Sequence, residues 1–181
     1  MTRRCFQRDR RYFHLNTGLN DRIWAVMHRR ERWKYFAAAL FKLQREQDFT
    51  AHAFVLLDTH FHLLFSTAAL DEDLLARHFH EILNGLINQT WDALHTPLFC
   101  EPVPGLTYYR NAYKYIYRNP IEAGLCFRAE DYEYSSLHWL LGRGAGPAPV
   151  IDNMGLVFAP VRILDWLNHA EAELTPRFRP H

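Results

Sequence analysis

Between residues 11 and 17 apolar and polar positions alternate: Phe13, Leu15 and Thr17 fall on one side, Tyr12, His14 and Asn16 on the other. A period of two predicts a strand from Arg11 to Thr17. Trp33, Phe36, Ala37, Leu40 and Leu43 recur at helical spacing and predict a helix from about Arg30 to Gln47. Phe49 to Leu57 and His60 to Ser66 read as two strands joined by a tight turn at Asp58-Thr59. The acids Asp71, Glu72 and Asp73 suit a helix N-terminus. Leu75, Phe79, Ile82, Leu86 and Thr90 carry that helix to about Leu94. Residues 97–107 leave room for a fourth strand, kept short or at an edge by Pro102 and Pro104. A third helix is expected from about Thr107 to Arg118. The order β-α-β-β-α-β-α predicts an α+β fold, an antiparallel sheet with helices packed on one face.

After Leu141 the composition changes. Residues 142–149, rich in Gly, Ala and Pro, read as a linker. A short amphipathic helix is expected from about Val161 to Leu174, with Ile163, Leu164, Trp166 and Leu167 on its apolar side. The chain therefore divides into a domain over residues 1–142 and a linker with a C-terminal extension over 143–181. No internal repeat is visible.

The third strand carries the chemistry. His60, His62 and Leu64 share one strand face, while Phe61, Leu63 and Phe65 share the other. Two imidazoles on an otherwise apolar strand suit a divalent metal, for which imidazole is a common ligand. A solvated strand face is the bland alternative. By ligand softness alone the pair would also suit Zn²⁺ or Ni²⁺. His14 falls on the same sheet face and is not read as a ligand.

Composition narrows the class. Of 181 residues 49% are hydrophobic, enough for one good core. No run of 18 or more apolar residues occurs, so no membrane span is expected. The first residues lack the apolar stretch of a secretory signal. Cys5, Cys100 and Cys126 have no CxxC spacing and are expected to be reduced thiols in a cytoplasmic protein. Net charge is only +1, but it is uneven. Residues 1–50 hold 12 Lys/Arg against 5 Asp/Glu; residues 51–181 hold 9 against 15. A basic N-terminal third suits phosphate contacts, with Arg10 and Arg11 as candidates. The 15% aromatic content suits a large core and, secondarily, base stacking.

A second segment, Tyr113-Lys114-Tyr115-Ile116-Tyr117-Arg118-Asn119-Pro120-Ile121-Glu122-Ala123-Gly124-Leu125, joins the histidine strand. A strand with His-hydrophobic-His, followed by Tyr-Ile-x-x-Asn-Pro-x-x-Ala-Gly-Leu, resembles the IS200-like single-tyrosine transposases. The likeness is closest to the branch associated with repetitive extragenic palindromes (REP). It covers about residues 10–142, including Tyr12-Phe13-His14 and Asp131-Tyr132-Glu133-Tyr134-Ser135-Ser136. Asp58-Thr59 departs from the family, which usually has Pro-Asn before the first histidine. The resemblance implies a ferredoxin-like sheet, a metal site using Mg²⁺ or Mn²⁺, and a substrate of single-stranded or hairpin DNA. It also implies a protein that works as a monomer or homodimer.

Tyr115 and Asn119 lie four residues apart, on one helix face. Tyr115 is the expected nucleophile, giving a 5′-phosphotyrosine and a free 3′-OH. His60, His62 and Asn119 are the expected metal ligands; the family's use of a polar side chain four residues after its tyrosine supports Asn119. Asn119-Pro120 also reads as a helix start, with Asn as cap and Pro at the first position. Asp58 either joins the metal or makes the turn. Tyr113 and Tyr117 are rival nucleophiles by position only. Arg110, Lys114 and Arg118 form a basic stripe beside the tyrosine, expected to hold the DNA backbone. The expected activity is a metal-dependent DNA nicking and strand-transfer reaction. Two other readings remain: a non-catalytic hairpin-binding protein, and a metal phosphodiesterase that uses water.

Overall fold

A computed structural model describes residues 9–20, 24, 26–68, 71–87, 94, 98–143 and 148–169. Four strands, β1 (Arg11–Gly18), β2 (Thr50–Leu56), β3 (His60–Thr67) and β4 (Phe99–Pro102), form one antiparallel sheet in the order β2-β3-β1-β4. Helix α1 (Arg29–Glu46) joins β1 to β2, and α2 (Glu72–Ile87) follows β3. This is the ferredoxin-like βαββαβ pattern, with α3 (Leu106–Glu122) next along the chain. A 3₁₀ turn (Ala129–Asp131) and two short helices, α4 (Ser136–Leu140) and α5 (Pro160–Asn168), complete the described chain.

Strand alternation decides which element covers which face. Phe13 pairs with Phe65 and Leu15 with Leu63, so these side chains point the same way as Phe61. Phe36 of α1 and Phe79 of α2 meet Phe61 there, at ring separations of 5.1 and 5.6 Å, and Trp33 stacks on Phe54 at 5.2 Å. The expectation of helices packed on one face holds for these two crossover helices. The opposite face carries Tyr12, His14, His62 and Ser66, and it is covered by α3, with Tyr109 edge-on to Tyr12 at 5.5 Å. Chain order alone gave α3 no place; the aromatic stripe Tyr109, Tyr113, Tyr117, fully buried, is what seats it.

Two helix boundaries differ from the sequence pattern. Leu94 forms an isolated antiparallel bridge with Leu19, an extended pairing incompatible with a helix there; α2 is described as far as Ile87, and residues 88–93 lie outside the described residues. Helix α3 runs through Asn119 and Pro120 instead of stopping at Arg118. A proline inside a helix costs about 3 kcal/mol. Burial of Tyr113, Ile116 and Tyr117 offsets it, at roughly 1.5–3 kcal/mol for each large apolar side chain. The helix stops at Gly124, whose φ of 69° only glycine adopts freely. There Leu125 N–H donates to the Pro120 carbonyl and Gly124 N–H to that of Ile121. Asn119 is thus not a helix cap.

The C-terminal extension docks on the core. Ile151 N–H donates to the Ala51 carbonyl, and Asn168 Oδ1 accepts from Ala129 N–H at 2.8 Å. Cys5, residues 144–147 of the linker and residues 170–174 of the expected last helix lie outside the described residues.

Candidate active site

The hairpin turn sets the first histidine. His60 opens β3, and Thr59 Oγ1 lies 3.0 Å from its Nδ1. Two residues on, His62 shares its face and is almost fully buried, with the two rings edge-to-face at 4.9 Å. His14 reaches the same place from β1, diagonal to His62 in the register. Its Nε2 lies 3.1 Å from His62 Nδ1.

Helix α3 brings the other two side chains. Tyr115 is half-buried, its ring edge-on to His62 at 5.3 Å and to His14 at 6.1 Å. Asn119, one turn later, donates from Nδ2 to the Tyr115 carbonyl at 3.1 Å. Its carboxamide is close enough to His60, His62 and Tyr115 to influence the titration of all three.

Burial dominates the electrostatics. It pushes His14 down to about 4 and His60 below its ordinary value, the Asn119 amide opposing the latter. It pushes His62 well below the ordinary value, helped by His14 and His60 and opposed by Asn119. All three imidazoles are therefore neutral near neutral pH, the form in which a ring nitrogen binds a cation. Burial raises Tyr115, with Glu122 and Glu101 adding and Asn119 working against them. The phenol is protonated at rest and needs a cation or base nearby to lose its proton.

The donors fit a divalent cation. His60 and His62 each have Nδ1 engaged by a neighbour, which is how metal-ligating histidines are commonly oriented. His62 Nε2 is buried and makes no hydrogen bond of ordinary geometry among the described residues, although the Asn119 amide is near. Such an orphaned nitrogen is costly unless something binds it. Among the described residues no three His, Cys, Asp or Glu side chains group as a metal cage. The cluster offers two imidazoles and an amide.

The rival tyrosines belong to the core. Tyr113 and Tyr117 are fully buried with rings 4.8 Å apart, and Tyr117 OH lies 2.9 Å from Ser136 Oγ. Asp58 makes the turn: Arg29 Nε donates to its carboxylate at 2.7 Å and Arg32 to its carbonyl at 3.0 Å.

The expected DNA-binding residues separate into two groups. Arg118 donates to the Leu167 and Asn168 carbonyls at the end of α5, both at 3.0 Å, with only 13% of its side chain exposed. Lys114 is buried, its ammonium 5.2 Å from the Trp166 ring. Arg10 donates to Ser66 Oγ and carbonyl and pairs with Asp48 at 2.8 Å. Among the described residues these three cations are packed or hydrogen-bonded within the fold. Arg110, 5.6 Å from Trp166, and Arg11, 5.3 Å from Phe13, remain exposed.

Sequence reasoning missed the His14–His62 contact, the Thr59 contact and the Glu101 charge beside Tyr115. The first two were within reach: the alternation of β1 puts His14 on the right face, and Thr59 adjoins His60. Glu101 was hidden by the prolines around β4.

Sheet order, crossover helices and a histidine pair facing a helix-borne tyrosine define the class that the sequence resembles. No protein-family model matches the chain. A REP-associated tyrosine transposase from Escherichia coli (strain K12) is 30% identical over 116 residues, 60% of this chain and 67% of the relative. The solved structure of a REP-associated tyrosine transposase bound to a REP hairpin superposes with a TM-score of 0.63 at 19% identity. That match covers 85% of this chain and 93% of the other, and it speaks for the fold. The chain belongs to the IS200-like tyrosine transposase family, in the REP-associated branch. No helix among the described residues is long and apolar enough to cross a membrane.

Proposed function

We propose that this protein nicks and transfers single-stranded DNA at a hairpin or palindromic repeat, through a covalent bond to Tyr115. One observation carries the reading: a half-buried tyrosine, the one tyrosine of the Tyr113-Tyr115-Tyr117 series outside the core, lies against His62 and one turn from Asn119. The relative's name and the hairpin in the solved neighbour support the substrate class.

His60, His62 and Asn119 would hold Mg²⁺ or Mn²⁺. When bound, the ion supplies Lewis-acid stabilisation of charge on the phosphodiester and on the phenolate. Tyr115 loses its proton and its oxygen bonds to phosphorus. The bond from phosphorus to the 3′ oxygen breaks, and that oxygen leaves as a 3′-OH after taking up a proton. The product is a 5′-phosphotyrosine, which conserves the ester bond for rejoining. Arg110, exposed on the same helix as Tyr115, and Arg11, exposed at the start of β1, are proposed to contact phosphates.

The test is a denaturing gel with hairpin DNA labelled on the 3′ side of the nick, in Mg²⁺ or Mn²⁺. The wild type shifts the label into a protein-linked band. Tyr115→Phe binds the hairpin but gives no band, while Tyr113→Phe and Tyr117→Phe keep it. A released label without a protein link would favour hydrolysis by water. Binding with no cleavage across a panel of hairpins would favour a non-catalytic hairpin-binding protein.

A further inference from the structure

The contact between His14 and His62 has a chemical consequence. The rings are nearly parallel, 25° apart with centroids at 5.2 Å, and their facing nitrogens are 3.1 Å apart. One proton occupies that hydrogen bond. If His14 supplies it from Nε2, the proton of a neutral His62 sits on Nε2, where the cation would bind. If His62 supplies it from Nδ1, the His62 Nε2 lone pair is open. Nε2 is the buried nitrogen that has no ordinary hydrogen bond among the described residues, and it lies near Asn119. The Asn119 side chain can accept an N–H left there, so what selects the other tautomer is the cation: with an ion at Nε2 the proton must sit on Nδ1, facing His14.

We propose that His14 is a positioning residue: it accepts the Nδ1–H of His62 and so holds His62 in the tautomer that can ligate a cation. The inference rests on the metal reading above. It assigns His14 a role parallel to that of Thr59 at His60, where a neighbouring side chain also engages Nδ1. Partners of this kind commonly change metal affinity by about 10–100-fold when removed.

Two substitutions separate this role from simple packing. In His14→Gln the side-chain amide reaches the position of Nε2 and its oxygen can accept the same proton. In His14→Phe the ring volume stays and the acceptor goes. Nitrogen NMR of histidine-labelled protein in Mg²⁺ reads which His62 nitrogen carries the proton, with His62→Asn assigning the signal. Calorimetric titration with Mn²⁺ reads affinity. Wild type and His14→Gln should hold the proton on Nδ1 and bind Mn²⁺ alike. His14→Phe should shift the proton toward Nε2 and weaken Mn²⁺ by about 10–100-fold. A wild-type His62 protonated on Nε2 overturns the inference without any variant. So does a His14→Phe protein with tautomer and affinity unchanged, or a His14→Gln protein as impaired as His14→Phe. A wild type that binds no Mn²⁺ overturns the metal reading instead, and the NMR result still judges the direction of the hydrogen bond.

Discussion

Asn119 donates from its side chain to the Tyr115 carbonyl one helical turn earlier, which turns its carboxamide toward both His60 and His62. The pair ties the expected nucleophile to the expected cation site through one turn of α3. Asn119→Ala should leave the helix intact, since alanine favours helices and the lost hydrogen bond is worth about 1 kcal/mol. Mn²⁺ affinity and the yield of covalent adduct should both fall at least tenfold. Asn119→Asp should keep or tighten Mn²⁺ binding, because a carboxylate adds charge beside two neutral imidazoles. An Asn119→Ala protein with full adduct yield would remove Asn119 from the site.

His60→Ala and His62→Ala should abolish Mn²⁺ binding and adduct formation while hairpin binding persists. The stability costs should differ. His60 is only half-buried, whereas removing the His62 ring strands its buried partner His14, worth about 1–3 kcal/mol. Denaturant melts read that difference. A chelator should copy the activity loss in the wild type, and added Mg²⁺ or Mn²⁺ should reverse it. Full cleavage in the presence of chelator would contradict the metal role.

The basic stripe makes a different prediction from the one its spacing suggests. Arg118 holds the last carbonyls of α5, and charged hydrogen bonds of this kind contribute about 1.5–3 kcal/mol. Arg118→Ala should lower the melting temperature and expose residues 148–169 to proteolysis, with little change in how DNA affinity depends on salt. Arg110→Ala should do the reverse, flattening the salt slope by about one unit per lost phosphate contact. An Arg118→Ala protein that is stable but has the flatter slope would return Arg118 to the DNA interface.

Strand alternation made the histidine pair legible, because a period of two is enough by itself to put both rings on one face. It also gave the four strands and their order with the helices. What it left out depends on tertiary context. Asn119-Pro120 carries the local signature of a helix start; only the buried face formed by Tyr113, Ile116 and Tyr117 keeps α3 running through it. The spacing of Arg110, Lys114 and Arg118 gives an angle on a helix but not what lies over it. That is Trp166, some fifty residues away in the chain. His14 was on the correct face by pattern, but the register that sets it diagonal to His62 comes from pairing β1 with β3.

Stability should fall as the solution is acidified from neutral, before the carboxylates titrate. Burial lowers His52 from 6.5 to about 3, the Arg10 charge adding and the Ile151 backbone opposing; burial alone lowers His14 to about 4. Both folded values lie below the unfolded one. Between pH 6.5 and those lower values the unfolded chain therefore binds more protons, and unfolding free energy rises with pH. At about pH 5 each histidine should cost about 2 kcal/mol relative to neutral pH, a large share of the roughly 5–15 kcal/mol typical of a domain. Asp48 acts lower on the scale: burial raises it, but hydrogen bonds from Ala68 N–H and Arg10 outweigh that, so its loss begins nearer pH 4. Urea melts at about pH 5 and pH 7.5 separate the two windows. His52→Gln keeps an amide near Ser66 and cannot take up the proton, so it should remove only its own share, about 2 kcal/mol, with His14 and the equally buried His62 supplying most of the rest. An unaltered pH slope in that variant would place the sensitivity elsewhere than His52, and a wild type equally stable at both pH values would show that none of these histidines is held neutral by burial.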